Sequence, residues 1–457
     1  MLVPAVIQAP AFAQSLTITP ISNAEIEQLL RLRAETQHRA TGMVIGIIRP
    51  SGSSVVAYGP PDGKAVRKMR GDTIFDIASL SKIFTDMLLA EAVVRGEAAL
   101  DDPLAAYLPP GVAAPKFGDR SITLTDLATH TSGLPLRPIN LDALPDATNK
   151  YAGYTLDQLY AGLPRYKLAW PPGTQFGYSN VGVALLGQAL ALRQKTTYAH
   201  LLRDRITAPL GLRDTRQGVD AASMDRLARG HDIDLKPIGP TDNGALNPAG
   251  GLKSTADDLL RFLGIFLDSS QGELPRAARL MLTIDRPGDD KDTRMALGWR
   301  RSVIGRETFY WSNGSGDGSR TFMGFNPARG VAVVALANAA SAEGLDDIGR
   351  HVLDPALPVN RTVPPIHHQI GLPEIAMNRL LGTYQYSPDD KFVITRGLTG
   401  LIVDTGQGQF VIYPESSTHF FSKFGDLQYD FSRAVEGPPP SVVLHQDGKD
   451  YTYRRIP

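Results

Sequence analysis

The sequence predicts an α+β fold: one antiparallel sheet with flanking helices and a helical lobe, followed by a small antiparallel β-barrel. Three observations carry this. Strand-like alternation occurs near the start and again between residues 295 and 338, with helical periodicity between the two. The stretch from Asp354 to His368 holds four prolines and no periodicity. The roughly ninety residues beyond it alternate at strand spacing between short turns. The expected organisation is a first unit over residues 14–353, a linker over 354–368 and an all-β unit over 369–457.

In chain order, "MLVPAVIQAPAFAQS" comes first, and Ala11-Phe12-Ala13 before Gln14 has the small-x-small form of an export-signal cleavage site. Residues 1–13 therefore read as the remnant of such a signal, with a periplasmic destination. Asn23 reads as an N-cap, with Glu25 and Glu27 in the first turn of a helix reaching about Arg39. "GMVIGIIR" and "SSVVAYG" read as strands joined through Pro50–Gly52, and "TIFDIA" as a short third strand. A helix then runs to Gly96, a natural C′ residue. Helices follow at Thr155–Gly162, Val181–Lys195 and Thr255–Asp268, the last with a Ser254/Asp257 capping box. Strands return at "MALGWRRSV", "ETFYWS", "SRTFMGFN" and "GVAVVALAN", and a helix from about Ala342 to Val352 closes the unit. Past the linker, Glu374–Leu381 reads as a short helix. "KFVITR", "GLIVDT", "QFVIYP", "THFFSK", "LQYDFS", "SVVLHQ" and "DYTYRRI" read as strands.

Composition narrows the function. Among 457 residues, 47 Lys and Arg balance 47 Asp and Glu, with no basic cluster, so a nucleic-acid partner is not expected. No apolar run reaches the roughly 18 residues of a transmembrane helix. The absence of cysteine excludes thiolate nucleophiles and Cys-ligated metals. The nine histidines make no ligand spacing, and His367-His368 reads as solvated linker, so neither a metal site nor a cofactor is expected.

The chemistry-bearing stretch is "TIFDIASLSKIFTDMLLAEAVVRGE". Residues three apart share a helix face, so Lys82 lies beside Ser79. At a helix N-terminus, the serine gains a backbone N–H aimed at a developing oxyanion and a favourable dipole. A lysine desolvated beside it becomes a proton acceptor. Alone, the pair reads more readily as a capping serine and a snorkelling lysine. Tyr178-Ser179-Asn180, where a Pro/Gly-rich loop enters a helix, adds a second motif, and it is the one Y-x-N in the chain. No G-x-S-x-G elbow occurs.

"FDIASLSK", "LATHTSGLP", "WPPGTQFGYSNVG" and "AGGLKSTADDLLRF", in that order, resemble the penicillin-recognising serine hydrolases of the class C β-lactamase type. That group includes D-alanyl-D-alanine carboxypeptidase/endopeptidases and related esterases. "LDDPLAAYLPPGVAAPKFGDRSITLTDLATHTSGLP" looks nearest to the peptidase branch, and the C-terminal module resembles the lipocalin-like barrels some members carry.

The resemblance implies a β-lactamase/penicillin-binding-protein-like fold. It makes Ser79 the acylated nucleophile, and Lys82 and Tyr178 its proton partners, leaving open which accepts first. Asn180 would bind the substrate's acyl amide or Lys82. His130 reads as a packing and hydrogen-bonding residue.

The family's Lys- or His-x-Gly strand is replaced by Ser312-Asn313-Gly314, with the Ser315 N–H completing the oxyanion hole and Arg320 as a substitute charge. Lys423-Phe424-Gly425 reads as a chance match. The implied substrate is a D-Ala-terminated peptide, a small ester or amide, or a β-lactam. A non-hydrolytic penicillin-binding sensor is the alternative of another class.

Overall fold

The computed structural model describes residues 20–60, 68–142, 147–341, 344–363, 365, 367–406, 408–423, 427–434, 437–446 and 448–457. The signal-like residues 1–13 lie outside them.

The first helix, Asn23–Arg31, begins at the residue expected to cap it. Ser22, not Asn23, closes the capping box: its hydroxyl accepts from the Glu25 N–H at 3.2 Å, and the Glu25 carboxylate accepts from the Ser22 N–H at 2.8 Å. The helix then widens into a π-turn over Leu32–Thr36. A one-residue offset in the other direction occurs at Ala256–Leu267, which Thr255 caps by accepting from the Asp258 N–H at 3.1 Å, rather than Ser254 with Asp257. Both corrections have one cause. Neighbouring side chains of similar capping ability differ only in which one keeps extended backbone, and sequence does not resolve that.

Among the described residues the main sheet has eight antiparallel strands. Gly52–Tyr58 lies at one edge, followed by Met43–Arg49, Val331–Ala337, Arg320–Asn326, Glu307–Ser315, Arg300–Ile304, Thr293–Met295 and Arg286–Pro287. Pairing Met43 with Ala337 brings the two ends of the first unit together. Strand alternation then gives each face its own core. Val44, Met323, Val334 and Leu336 join the helical lobe, whereas Ile45, Phe322, Val333 and Ala335 pack with the first helix and with Asp346–Leu353. Ile74–Asp76 does not extend this sheet. It pairs with Leu252–Thr255 in a separate three-stranded sheet.

Two helices are buried nearly all round. Ser81–Val94 is buried from Ser81 to Ala92, and Asn180–Arg193 is buried over Val181–Gly187 and Ala189–Ala191. A helix apolar on all sides belongs inside a protein. These two carry the Ser/Lys and Tyr/Asn motifs at their N-terminal ends.

The Pro-rich segment runs along the first unit, where the Gln37 amide donates to the carbonyls of Asn360 and Thr362 at 3.1 and 2.9 Å. Beyond it, the strands from Gly382–Ser387 to Lys449–Ile456 form a closed eight-stranded antiparallel barrel. Gly382–Ser387 was not expected. Only Tyr384 of this strand is fully buried, so its alternation is faint. Nor is His367 a solvated linker residue: its ring stacks on Phe421 at 4.4 Å, while His368 is exposed. No helix among the described residues is long and apolar enough to cross a membrane.

Candidate active site

Ser79 occupies a 3-10 turn, Ala78–Leu80, that feeds the Ser81–Val94 helix. Ala78 adopts φ +47°, which a residue with a Cβ rarely takes. Such strain persists only where the surroundings over-determine the backbone. Here the Asp76 carboxylate accepts from the Ala78 N–H at 2.9 Å, and the Ser81 hydroxyl donates to the Ala78 carbonyl at 2.7 Å. Thr321 of the main sheet donates to the Ile77 carbonyl at 3.0 Å.

Lys82 is 4% exposed, and its ammonium donates to the Ser79 hydroxyl at 3.0 Å and to the Ala249 carbonyl at 2.5 Å. The ammonium also lies 4.8 Å from the centre of the Tyr178 ring. Burial pushes the Tyr178 phenol up, but the Lys82 charge, hydrogen bonds with Lys82 and Ser79, and Arg300 outweigh it. The phenol therefore sits below its ordinary value.

His130 underpins this tyrosine. Its ring packs 4.3 Å from the Tyr178 ring, and its Nδ1 accepts from the Ser179 N–H at 3.2 Å. Burial, Lys82 and Arg300 hold its pKa well below the usual histidine range, so it is neutral at physiological pH. Asn180 opens the next helix, lines the cleft and hydrogen-bonds Tyr151.

The strand Glu307–Ser315 forms the opposite wall. Tyr310 packs with the helical-lobe core and Trp311 with the other, so Ser312 and Gly314 face the serine. A Cβ on Gly314 would lie 2.3 Å from the Thr321 hydroxyl, 2.7 Å from the Ile77 carbonyl and 3.0 Å from the Ser79 nitrogen. Glycine is required there because the strand backbone passes directly over the nucleophile turn. Ser312 is 8% exposed, and Ser315 lines the cleft.

Asn313 points the other way and donates to Asp346. So does Arg320, which shares its face with Phe322 and donates at 2.9 Å to the Gly316 and Ser319 carbonyls, bracing its hairpin. Burial pushes its pKa down to about 10. The expectations that Asn313 and Arg320 meet substrate are therefore corrected: strand alternation places both on the far side of the sheet. Lys423 is also remote, 2.7 Å from Asp234 and 2.9 Å from Gln369; Phe424 and Gly425 lie outside the described residues.

The cleft holds residues that no motif announced. Lys150 and Asp317 form an ion pair at 3.3 Å, and Tyr151 and Asn243 line the same space. They come from separate loops, so no local spacing linked them. Deeper in the same helix, Asp86 lies one turn past Lys82, fully buried, and neither carboxylate oxygen has a hydrogen-bond partner among the described residues. Burial drives its pKa well up, and Lys82 opposes this only in part.

The beta-lactamase family model matches residues 23–356. The chain belongs to the beta-lactamase family. It is 31% identical over 310 residues to the D-alanyl-D-alanine-carboxypeptidase/endopeptidase AmpH of Escherichia coli, covering 64% of this chain and 78% of that one. A beta-lactamase of Pseudomonas fluorescens is 25% identical over 353 residues, covering 70% of this chain and 93% of that one. Among solved structures, the beta-lactamase/D-alanine carboxypeptidase from Yersinia pestis complexed with citrate matches with a TM-score of 0.63 and 25% identity. It covers 72% of this chain and 96% of its own. The protein is thus a serine hydrolase of this family, on the fold that the motifs implied.

Proposed function

We propose that the protein hydrolyses acyl substrates through an acyl-Ser79 intermediate, and that its substrates are D-Ala-terminated peptides. The observation that carries this is the shared hydrogen-bonding of Ser79, Lys82 and Tyr178. The lowered phenol favours Tyr178 as first acceptor. Ser79 Oγ bonds to the carbonyl carbon as its proton passes to the oxygen of the ionised Tyr178, a phenolate. The Ser79 and Ser315 N–H groups stabilise the resulting oxyanion, worth roughly 10²–10³-fold per donor. The proton then goes to the leaving amine, and water releases the acyl group by the reverse path.

The peptidase substrate rests on the 31% identical carboxypeptidase/endopeptidase. A second reading, an esterase or amidase for small neutral acyl groups with slow β-lactam turnover, is favoured by Ser312. That position offers no charge to a carboxylate, and Asp317 already neutralises Lys150. We place the enzyme in the periplasm, on the signal-like residues 1–13.

Intact-mass analysis after exposure to p-nitrophenyl acetate and to a penicillin tests the intermediate. Wild type should gain one acyl group and Ser79→Ala none. Equal labelling of the two proteins would overturn it. The ratio of kcat/KM for a D-Ala-D-Ala peptide to that for the ester decides between the substrate classes. A mass gain that never turns over would mark a penicillin-binding sensor.

A further inference from the structure

Where the Pro-rich segment meets the barrel, His367, Glu415 and His419 place one donor atom each within 4.8 Å of one another. We propose that these three side chains form a zinc site that fastens the linker to the barrel. The inference is independent of the hydrolase reading.

The donor set suits zinc, which takes imidazole nitrogen and carboxylate oxygen in tetrahedral sites, leaving the fourth position to water. Ligand atoms about 2.1 Å from a common ion lie about 3.4 Å apart. His367 Nδ1 is 2.9 Å and His419 Nε2 is 3.6 Å from the same Glu415 oxygen, so two of the three pairs bracket that spacing.

The surroundings also fit. His419 Nδ1 lies 2.7 Å from an Asp430 carboxylate oxygen, which holds the ring with Nε2 turned toward Glu415. Metal-binding histidines ordinarily have a carboxylate on the second ring nitrogen. The other Glu415 oxygen accepts from the His368 N–H at 2.7 Å, and Phe421 fixes the His367 ring by stacking on it. Each ligand is oriented before any ion arrives. The side chains are 17%, 28% and 24% exposed, which leaves an entry path.

The test is zinc titration of the full chain after chelation, followed by calorimetry and by elemental analysis of the gel-filtered protein. Wild type should retain one zinc per chain and melt higher with zinc than with chelator. His367→Ala and His419→Ala should abolish retention, and Asp430→Asn should weaken binding about 10–100-fold. His200→Ala, an exposed histidine elsewhere, should bind as wild type does. X-ray absorption on the zinc-loaded wild type should show two imidazoles and a carboxylate, whether or not a variant folds. Retention of less than one zinc per chain, binding unchanged in both histidine variants, or a different ligand set would overturn the proposal.

Discussion

The main sheet and the C-terminal barrel are both antiparallel, yet they are assembled on opposite plans. In the barrel every strand pairs with its neighbours in sequence, and only the pairing of Gly382–Ser387 with Lys449–Ile456 closes a long loop. In the main sheet, Met43–Arg49 pairs with Val331–Ala337, so nearly the whole first unit must be enclosed before that contact forms. Loop closure of that kind is slow to form but rises only gently in cost with length. It brings together Ser79, Tyr178, Ala249 and Gly314 from four distant stretches and braces them against one strained turn. The barrel is built from local pairings and takes no part in that bracing. The difference shows where damage should be severe and where it should be slight.

The severe case is the proton path. Lys82→Ala and Tyr178→Phe should each reduce kcat by roughly 10²–10⁴-fold, the usual contribution of positioned proton transfer. Because both bond the same Ser79 hydroxyl, the double variant should lose far less than the product of the single losses. Steady-state rates on one ester substrate check this. Multiplying losses would mean that the two groups act separately.

Ser312→Lys probes the same wall more gently. An ammonium on the serine-facing side of Glu307–Ser315 would give a substrate carboxylate a charge-assisted partner, worth about 1.5–3 kcal/mol. The kcat/KM for D-Ala-D-Ala peptides should rise about ten-fold or more, while that for neutral esters stays level or falls. A variant with the parent's melting temperature and an unchanged preference would mean that position 312 does not read the carboxylate.

The same contrast explains how much was legible in sequence. Most strands of both sheets, the two buried helices and the Ser79/Lys82 pair follow from local periodicity and spacing, because each is a property of one stretch; Tyr178 joined them only through the family resemblance. The partners Lys150 and Asp317 were not legible, since each reaches the cleft from a loop of its own. Arg320 was misread for a related reason. Its strand was correct, but which face is which depends on the sheet's two cores. The barrel strand Gly382–Ser387 was missed because Tyr384 alone is fully buried there.

A smaller effect is expected at Asp86, a buried acid in a helix whose pattern is otherwise apolar. Its folded pKa lies above its unfolded one, so the protein gives up stability as pH rises from the ordinary aspartate range through the raised value. Below that window the acid is protonated in both states and nothing is lost. Asp86→Asn cannot ionise. Its melting temperature should match wild type at acid pH and exceed it by several degrees above the window. A gap that is constant with pH would mean that Asp86 is not the ionising group.

The smallest effect should come from removing the barrel. We propose that the chain divides after His368, because the linker's contacts with the first unit all precede that point. Gln37 holds Asn360 and Thr362, and the Asp347 carboxylate accepts from the Asn360 N–H at 2.8 Å. These bonds survive the cut. Among the described residues, a side-chain bond lost to the first unit is that of Lys423 with Asp234, at a site remote from Ser79. Ester turnover by residues 20–368 should therefore stay within about two-fold of the full chain. Losing a bond of about 1 kcal/mol should lower the melting temperature by no more than about 2 °C in a unit this large. An insoluble fragment, or one without a cooperative melt, would place part of the first unit's core inside the barrel and erase the distinction between the two plans. A soluble fragment with altered preference for peptide over ester would instead give the barrel a part in choosing substrate.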